Sequence, residues 1–196
     1  MKMKSGLIAF ILLTCVSFVS VAQTQFGIRG GVNFQNLNGK TEDGDKLENK
    51  LKLGVNLGVT ADIPVVSPDY FVQTGLLFSS KGAKVEGTDI KVKLSYIEVP
   101  ITFLYKPTLG EGKLLLGVGP YLGYAVGGKI DDTDIDFDDD FKRFDAGGNL
   151  LFGYQFTNNL SAQLNAQLGL VNIGQNDEGD ATLKNTGFGV SLGYHF

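Results

Sequence analysis

The sequence predicts an all-β chain: an eight-stranded antiparallel up-and-down transmembrane β-barrel with short periplasmic turns and long extracellular loops. Three observations predict it. Hydrophobicity alternates with a period of two in eight segments, the connections between them alternate short and long, and aromatic residues gather at both segment ends.

The first segment, 26–34, reads FGIRGGVNF and sets Phe26, Ile28, Val32 and Phe34 on one face against Gly27, Arg29, Gly31 and Asn33. The second, 51–63, places Leu51, Leu53, Val55, Leu57, Val59, Ala61 and Ile63 opposite Lys52, Gly54, Asn56, Gly58, Thr60 and Asp62. Further segments follow at 70–80, 91–105, 113–127, 141–156, 160–170 and 185–196. The fourth needs a bulge, because Val92 and Leu94 share a parity with Glu98, and one placed before Pro100 reconciles the two.

The connections 64–69, 106–112 and 157–159 are tight and rich in turn residues, whereas 35–49, 81–90, 128–140 and 172–185 are long and polar. In a meander, alternate connections lie at the same end, so the long loops gather on one side. Phe26, Tyr70, Tyr105, Phe156, Tyr194 and Phe196 fall near the short-turn end; Phe34, Phe78, Tyr124, Phe144 and Phe188 fall near the loop end. Two such girdles suit the interfaces of a bilayer. The span from Phe26 to Phe34, at about 3.3 Å per residue and a tilt of about 40°, covers roughly 20 Å of membrane height.

Periodicity alone does not say which face points out. A soluble lipocalin-like barrel with its apolar face around a ligand is the structural rival. Against it, the polar face is poor in charge and rich in glycine (Gly54, Gly58, Gly75, Gly117, Gly119 and Gly123 among others), which suits a lumen with room only for side chains.

The N-terminus carries a basic MKMK, an apolar stretch from Leu7 to Val21 and small residues before Gln23, the layout of a secretory signal peptide cleaved after Ala22. The domain organisation is thus 1–22 signal peptide and 23–196 barrel. Cys15 lies inside the apolar stretch, so the exported chain has no cysteine and no thiolate metal site. Losing Lys2 and Lys4 leaves 15 basic against 21 acidic residues, a net charge near −6, which excludes nucleic acid as a partner.

The stretches QTGLLFSSKGAK (73–84), LSYIEVP (94–100), GVGPYLGY (117–124), FDAGGNLLFGYQF (144–156) and LGLVNI (168–173) together resemble PorT-family outer membrane β-barrel proteins. The resemblance implies an eight-stranded barrel in a Gram-negative outer membrane. The family's namesake is tied to a system that exports proteins across that membrane, so an envelope or secretion-system partner is implied as well.

By parity Arg29, Glu98 and Asp145 point into the lumen, where an unpaired charge is costly, and Arg29 is expected to pair with Glu98 or Asp145. His195 is read as an interfacial side chain, with Ser191 four residues earlier. The acidic run Asp131, Asp132, Asp134, Asp136, Asp138, Asp139 and Asp140 is a candidate for loose divalent-cation binding or a solvated loop; the EF-hand pattern fails, with Phe137 where Gly is needed and Arg143 where Glu is needed. Lys81, Lys84, Lys91 and Lys93 read as a basic patch on the second long loop and its flanks, either meeting lipid phosphates or solvated. The alternation ending in Tyr194 and Phe196 looks like a C-terminal signal for the barrel assembly machinery.

These features predict a monomer among outer membrane lipids, with no cofactor and no catalytic set, acting through its surface loops in a binding, structural or accessory role. A small pore is the alternative, disfavoured because eight strands leave no aqueous channel.

Overall fold

The computed structural model describes residues 24–40, 44–47, 49–65, 67–88, 90–131, 133–137, 141–175 and 181–196. The expected signal peptide and its cleavage point lie outside the described residues.

The elements are β1 (Gln25–Lys40), β2 (Asn49–Pro64), β3 (Tyr70–Val85), β4 (Lys91–Tyr105), β5 (Thr108–Leu109), β6 (Gly112–Ile130), β7 (Thr133–Asp134), β8 (Phe144–Gln155), β9 (Leu160–Gly169) and β10 (Thr182–His195). Each long strand pairs antiparallel with its neighbours in the chain, and β10 returns to β1 in register from Gly27↔His195 through Lys40↔Thr182. The result is a closed eight-stranded up-and-down barrel, with β5 and β7 as short hairpin arms on β6. Closure leaves no unpaired edge, the condition for a sheet to stand in hydrocarbon.

The expected facing holds. Leu53, Leu57, Val118, Leu164 and Leu192 are each more than half exposed, whereas Asn56, Thr60, Asn149 and Ser191 are buried inside. A continuous outward apolar surface of this kind is out of place in water and correct in lipid. The upper girdle is built from cross-strand pairs: Phe34 stacks on Phe188 at 5.2 Å, and Tyr124 lies opposite Phe144. At the short-turn end Tyr70 stacks between Phe103 and Tyr105 at 5.7 and 4.8 Å. Inward glycines allow the tight curvature: a Cβ on Gly31, Gly54, Gly75 or Gly147 would collide with a carbonyl of the adjacent strand.

Two expectations about the strands change. Several ladders run beyond the predicted ends; β1 reaches Lys40 and β3 reaches Val85, because main-chain pairing continues where polar residues on both faces erase the alternation. The bulge lies elsewhere as well. β4 keeps one parity throughout, with Val92, Leu94, Tyr96 and Glu98 all inside. The extra residue is in β6, where Ser95 pairs with Gly127 but Tyr96 pairs with Ala125.

The C-terminus closes the seam. Phe196 donates its main-chain N–H to Phe26 O at 2.8 Å, while its ring packs edge-on against Tyr194 at 5.5 Å and is otherwise exposed. Deleting Phe196 therefore removes one hydrogen bond and one interfacial ring. It is expected to lower outer-membrane levels in cells more than it lowers the folding free energy in detergent. Unchanged cellular levels would refute a role in assembly.

Candidate functional site

The interior is built in layers, because a lumen this narrow holds side chains rather than water. At the short-turn end Lys106 Nζ lies 3.0 Å from Asp62 Oδ2 and donates to Gln25 Oε1 at 3.0 Å, over the ring of Phe71. Gln73 donates to the other oxygen of Asp62 at 2.8 Å, and His195 Nε2 is 3.4 Å from Asp62 Oδ2. His195 is thus an inward, buried residue, which corrects its reading as an interfacial one; its parity opposite Tyr194 and Phe196 sends it into the lumen. Ser191, four residues away, donates to Asn56 Oδ1 at 3.0 Å. Phe71, Leu104, Leu115 and Leu151 form an apolar layer among these groups.

Mid-barrel, Arg29 Nη1 faces Gln163 Oε1 at 3.5 Å and Asn165 Oδ1 at 3.3 Å. The expected pairing of Arg29 with Glu98 or Asp145 is not formed. Both carboxylates are taken by Lys81 instead, at 2.6 Å to Glu98 and 3.2 Å to Asp145. Lys81, read from the sequence as part of a surface patch, is fully buried. The sequence held a signal for it: Lys81 continues the inward parity of Gly75, Leu77 and Ser79. Tyr121 and Asn185 donate to Asp145 Oδ2 at 3.1 and 3.0 Å, and Gln167 donates to Glu98 Oε2 at 3.0 Å. The ammonium also sits over the rings of Tyr121 and Tyr96, at 4.3 and 5.3 Å from their centroids. A void of about 20 Å³ remains among Arg29, Asn33, Asn56, Ser79, Glu98 and Gln167, room for about one water.

Above this network the mouth turns apolar. Leu37, Val92, Leu94 and Ala125 from the wall meet Ile135, Phe137 and Phe141 from the acidic connection, and Ile173 from the last loop. The run of aspartates is therefore more than a solvated loop, since its interleaved apolar residues fold inward. Asp131 turns the chain at φ 54° and accepts the Lys91 N–H at 2.8 Å, and Asp134 pairs with Lys129 at 3.4 Å. Asp136 is also engaged, while Asp132, Asp138, Asp139 and Asp140 lie outside the described residues. Among the described residues no three His, Cys, Asp or Glu converge as a metal site. The two loops are joined where Lys142 N–H donates to Ile173 O at 2.8 Å, and within the acidic connection the Arg143 guanidinium stacks over Phe137 at 4.6 Å.

Beside this cap a cavity of about 690 Å³ opens, lined by Leu37, Leu47, Ala83, Val85, Val92, Phe141 and Leu183, with Asp45, Lys46 and Asn49 supplying polar groups. Its size and its mainly apolar walls with a few polar groups are those of a small-molecule or peptide side-chain site. No residue in it was read from the sequence as part of a site. They belong to different strands and loops, and only the closed barrel brings them together.

A family model described as an outer membrane protein beta-barrel domain matches residues 21–175. No curated protein matches the chain. Among solved structures, it is similar to Ail, the attachment invasion locus protein of Yersinia pestis, in a complex with the heparin analogue sucrose octasulfate: 18% identity, 88% of this chain and 99% of that chain, TM-score 0.46. It is similar also to the outer membrane protein OprG from Pseudomonas aeruginosa, at 16% identity over 88% of this chain and 95% of that chain, TM-score 0.46. A major outer membrane protein from Thermus thermophilus matches at 13% identity over 89% of this chain and 100% of that chain, TM-score 0.47.

Proposed function

From the fact that the chain belongs to the outer membrane protein beta-barrel domain family, and so resides in the outer membrane, we propose that it is a non-catalytic binding or accessory protein acting at its extracellular mouth. The observation that carries this reading is the mainly apolar cavity of about 690 Å³ above an interior filled by interlocked side chains. A filled interior favours capture over passage, since a solute would have to displace the Lys81 network to cross.

An enzymatic role has little to work with. The Ser191 hydroxyl is committed to Asn56, and His195 faces Asp62 at the end of the barrel away from the loops. An acyl-transfer site needs a base beside its nucleophile, and these two side chains engage other partners. The PorT-like motifs favour, as the occupant, a protein of the envelope or of a secretion system. The protein acts as a monomer in this reading, and closure leaves no strand edge through which a second copy could extend the sheet.

A photo-crosslinking residue placed at Leu47 or Val85 is expected to capture a discrete molecule in intact cells, and the same residue at Lys113 by the short turns is not. Steady ionic conductance of the purified protein in a planar bilayer, together with no capture from the mouth, would overturn the binding role in favour of a pore.

A further inference from the structure

The outward cations of the barrel are segregated toward one end. Lys84 on β3 lies directly opposite Lys50 on β2 and Lys91 on β4, and Lys93 on β4 lies directly opposite Lys129 on β6. All five point away from the lumen: their neighbours Ala83, Val92 and Leu94 are buried inside. Among the described residues the short-turn end carries only Lys106, which is buried, and Lys113.

Directly opposed side chains on antiparallel strands stand about 5 Å apart at Cβ, and like charges there are destabilising. Part of this repulsion is offset within the chain, since Lys50 pairs with Glu86 at 3.1 Å and Lys129 with Asp134 at 3.4 Å. The ammonium groups of Lys84, Lys91 and Lys93 form no ion pair among the described residues, although Lys84 and Lys91 face each other; the Asp131 carboxylate is bonded to the Lys91 main-chain N–H. Such a cluster is electrostatically costly on its own and favourable against an anionic surface.

Its height identifies that surface. On β4 the outward apolar side chains end at Ile97, and Lys93 and Lys91 follow four and six residues further up the strand. At about 3.3 Å per residue and a tilt of about 40°, the backbone at Lys93 and Lys91 stands roughly 10 to 15 Å above Ile97, the last outward apolar residue of β4, and a lysine stem can reach several ångströms back toward it. That is the headgroup layer of the outer leaflet, on the side of the long loops.

We propose that Lys84, Lys91 and Lys93, flanked by Lys50 and Lys129, form a docking face for the phosphate groups of lipid A in the outer leaflet. The phosphates bridge lysines that otherwise repel across the β3–β4 and β4–β6 ladders, so the bound glycolipid ties together strands whose polar upper ends extend above the hydrocarbon. This role is separate from the mouth cavity, and neither depends on the other.

The test compares wild type with the triple variant Lys84→Gln, Lys91→Gln, Lys93→Gln and with Lys113→Gln. Each is reconstituted in nanodiscs of phosphatidylcholine alone, or with diphosphorylated or dephosphorylated lipid A. Diphosphorylated lipid A is expected to raise the unfolding midpoint of wild type and of Lys113→Gln, and to lose most of that effect in the triple variant. Retention of lipid A through purification should fall on the order of 100-fold in the triple variant, since each lysine is worth about five-fold at an anionic surface. In phosphatidylcholine alone the sign reverses: the triple variant is expected to be the more stable, because its repulsion is relieved. Wild type stabilised equally by dephosphorylated lipid A, or equally by millimolar inorganic phosphate in detergent, would overturn the proposal without reference to any variant. Equal retention by the triple variant would do so as well.

Discussion

Replacing Lys81 by methionine is expected to destabilise the barrel by about 3 to 5 kcal/mol, the cost of stripping a buried ion pair of one partner. The side chain is fully buried, and its ammonium is the shared cation of Glu98 and Asp145. Methionine keeps the volume and leaves two carboxylates facing each other in a space without bulk water. Tyr121, Asn185 and Gln167 still donate to them, but neutral donors do not cancel two like charges. Adding Glu98→Gln and Asp145→Asn to Lys81→Met should therefore recover part of the loss, since it removes the two unpaired carboxylates, although Arg29 keeps its charge in the lumen. Equilibrium unfolding in urea, with the barrel in detergent or lipid vesicles, measures both. A Lys81→Met variant as stable as wild type would mean that the ammonium does not neutralise this pair.

The second large effect comes from the opposite side of the wall. Leu57 lies in the outward face of β2, opposite Gly30 of β1 and Phe78 of β3, and is 64% exposed. Leu57→Arg is expected to cost about 2 to 4 kcal/mol near the membrane midplane. The neighbouring Asn56 points inward, donating to Asn33 Oδ1 at 2.6 Å and accepting from Ser191. Parity alone would allow an arginine at Asn56 as a harmless lumen residue. The filled interior does not, so the proper comparison is Asn56→Ser, which shortens the side chain and is expected to cost about 1 kcal/mol through its lost hydrogen bonds. The same unfolding titration tests the pair, and equal losses would undo the facing of β2.

The sequence by itself determined the wall of this protein. Whether a side chain faces lipid or lumen follows from its parity on a pleated strand, a local property, and every lipid-facing position meets the same apolar solvent. That is why Leu53 and Leu57 were legible as one face of the second strand, turned to lipid by the glycine-rich face behind them, and the strand number and the short and long connections were legible too. Strand ends were less legible. The third segment ends at Ser80 in the sequence because a polar connection follows, yet polar residues do not stop a ladder of main-chain hydrogen bonds, and β3 runs on to Val85.

Only the tertiary structure decided which inward groups meet. Parity states that Arg29, Lys81, Glu98 and Asp145 all enter the lumen and is silent about their heights, which depend on the stagger accumulated around the closed sheet. Lys81 and Asp145 stand 64 residues apart and Arg29 and Gln163 134 apart, so no spacing in the chain records either contact. The same holds for the mouth, where Leu37, Val92, Phe141 and Leu183 come from β1, β4, the acidic connection and β10. It holds too for Lys84 opposite Lys91, which the register of β3 on β4 sets side by side. Facing is written residue by residue along a strand, whereas contact across a barrel is set by closure, and closure is a property of the whole sheet.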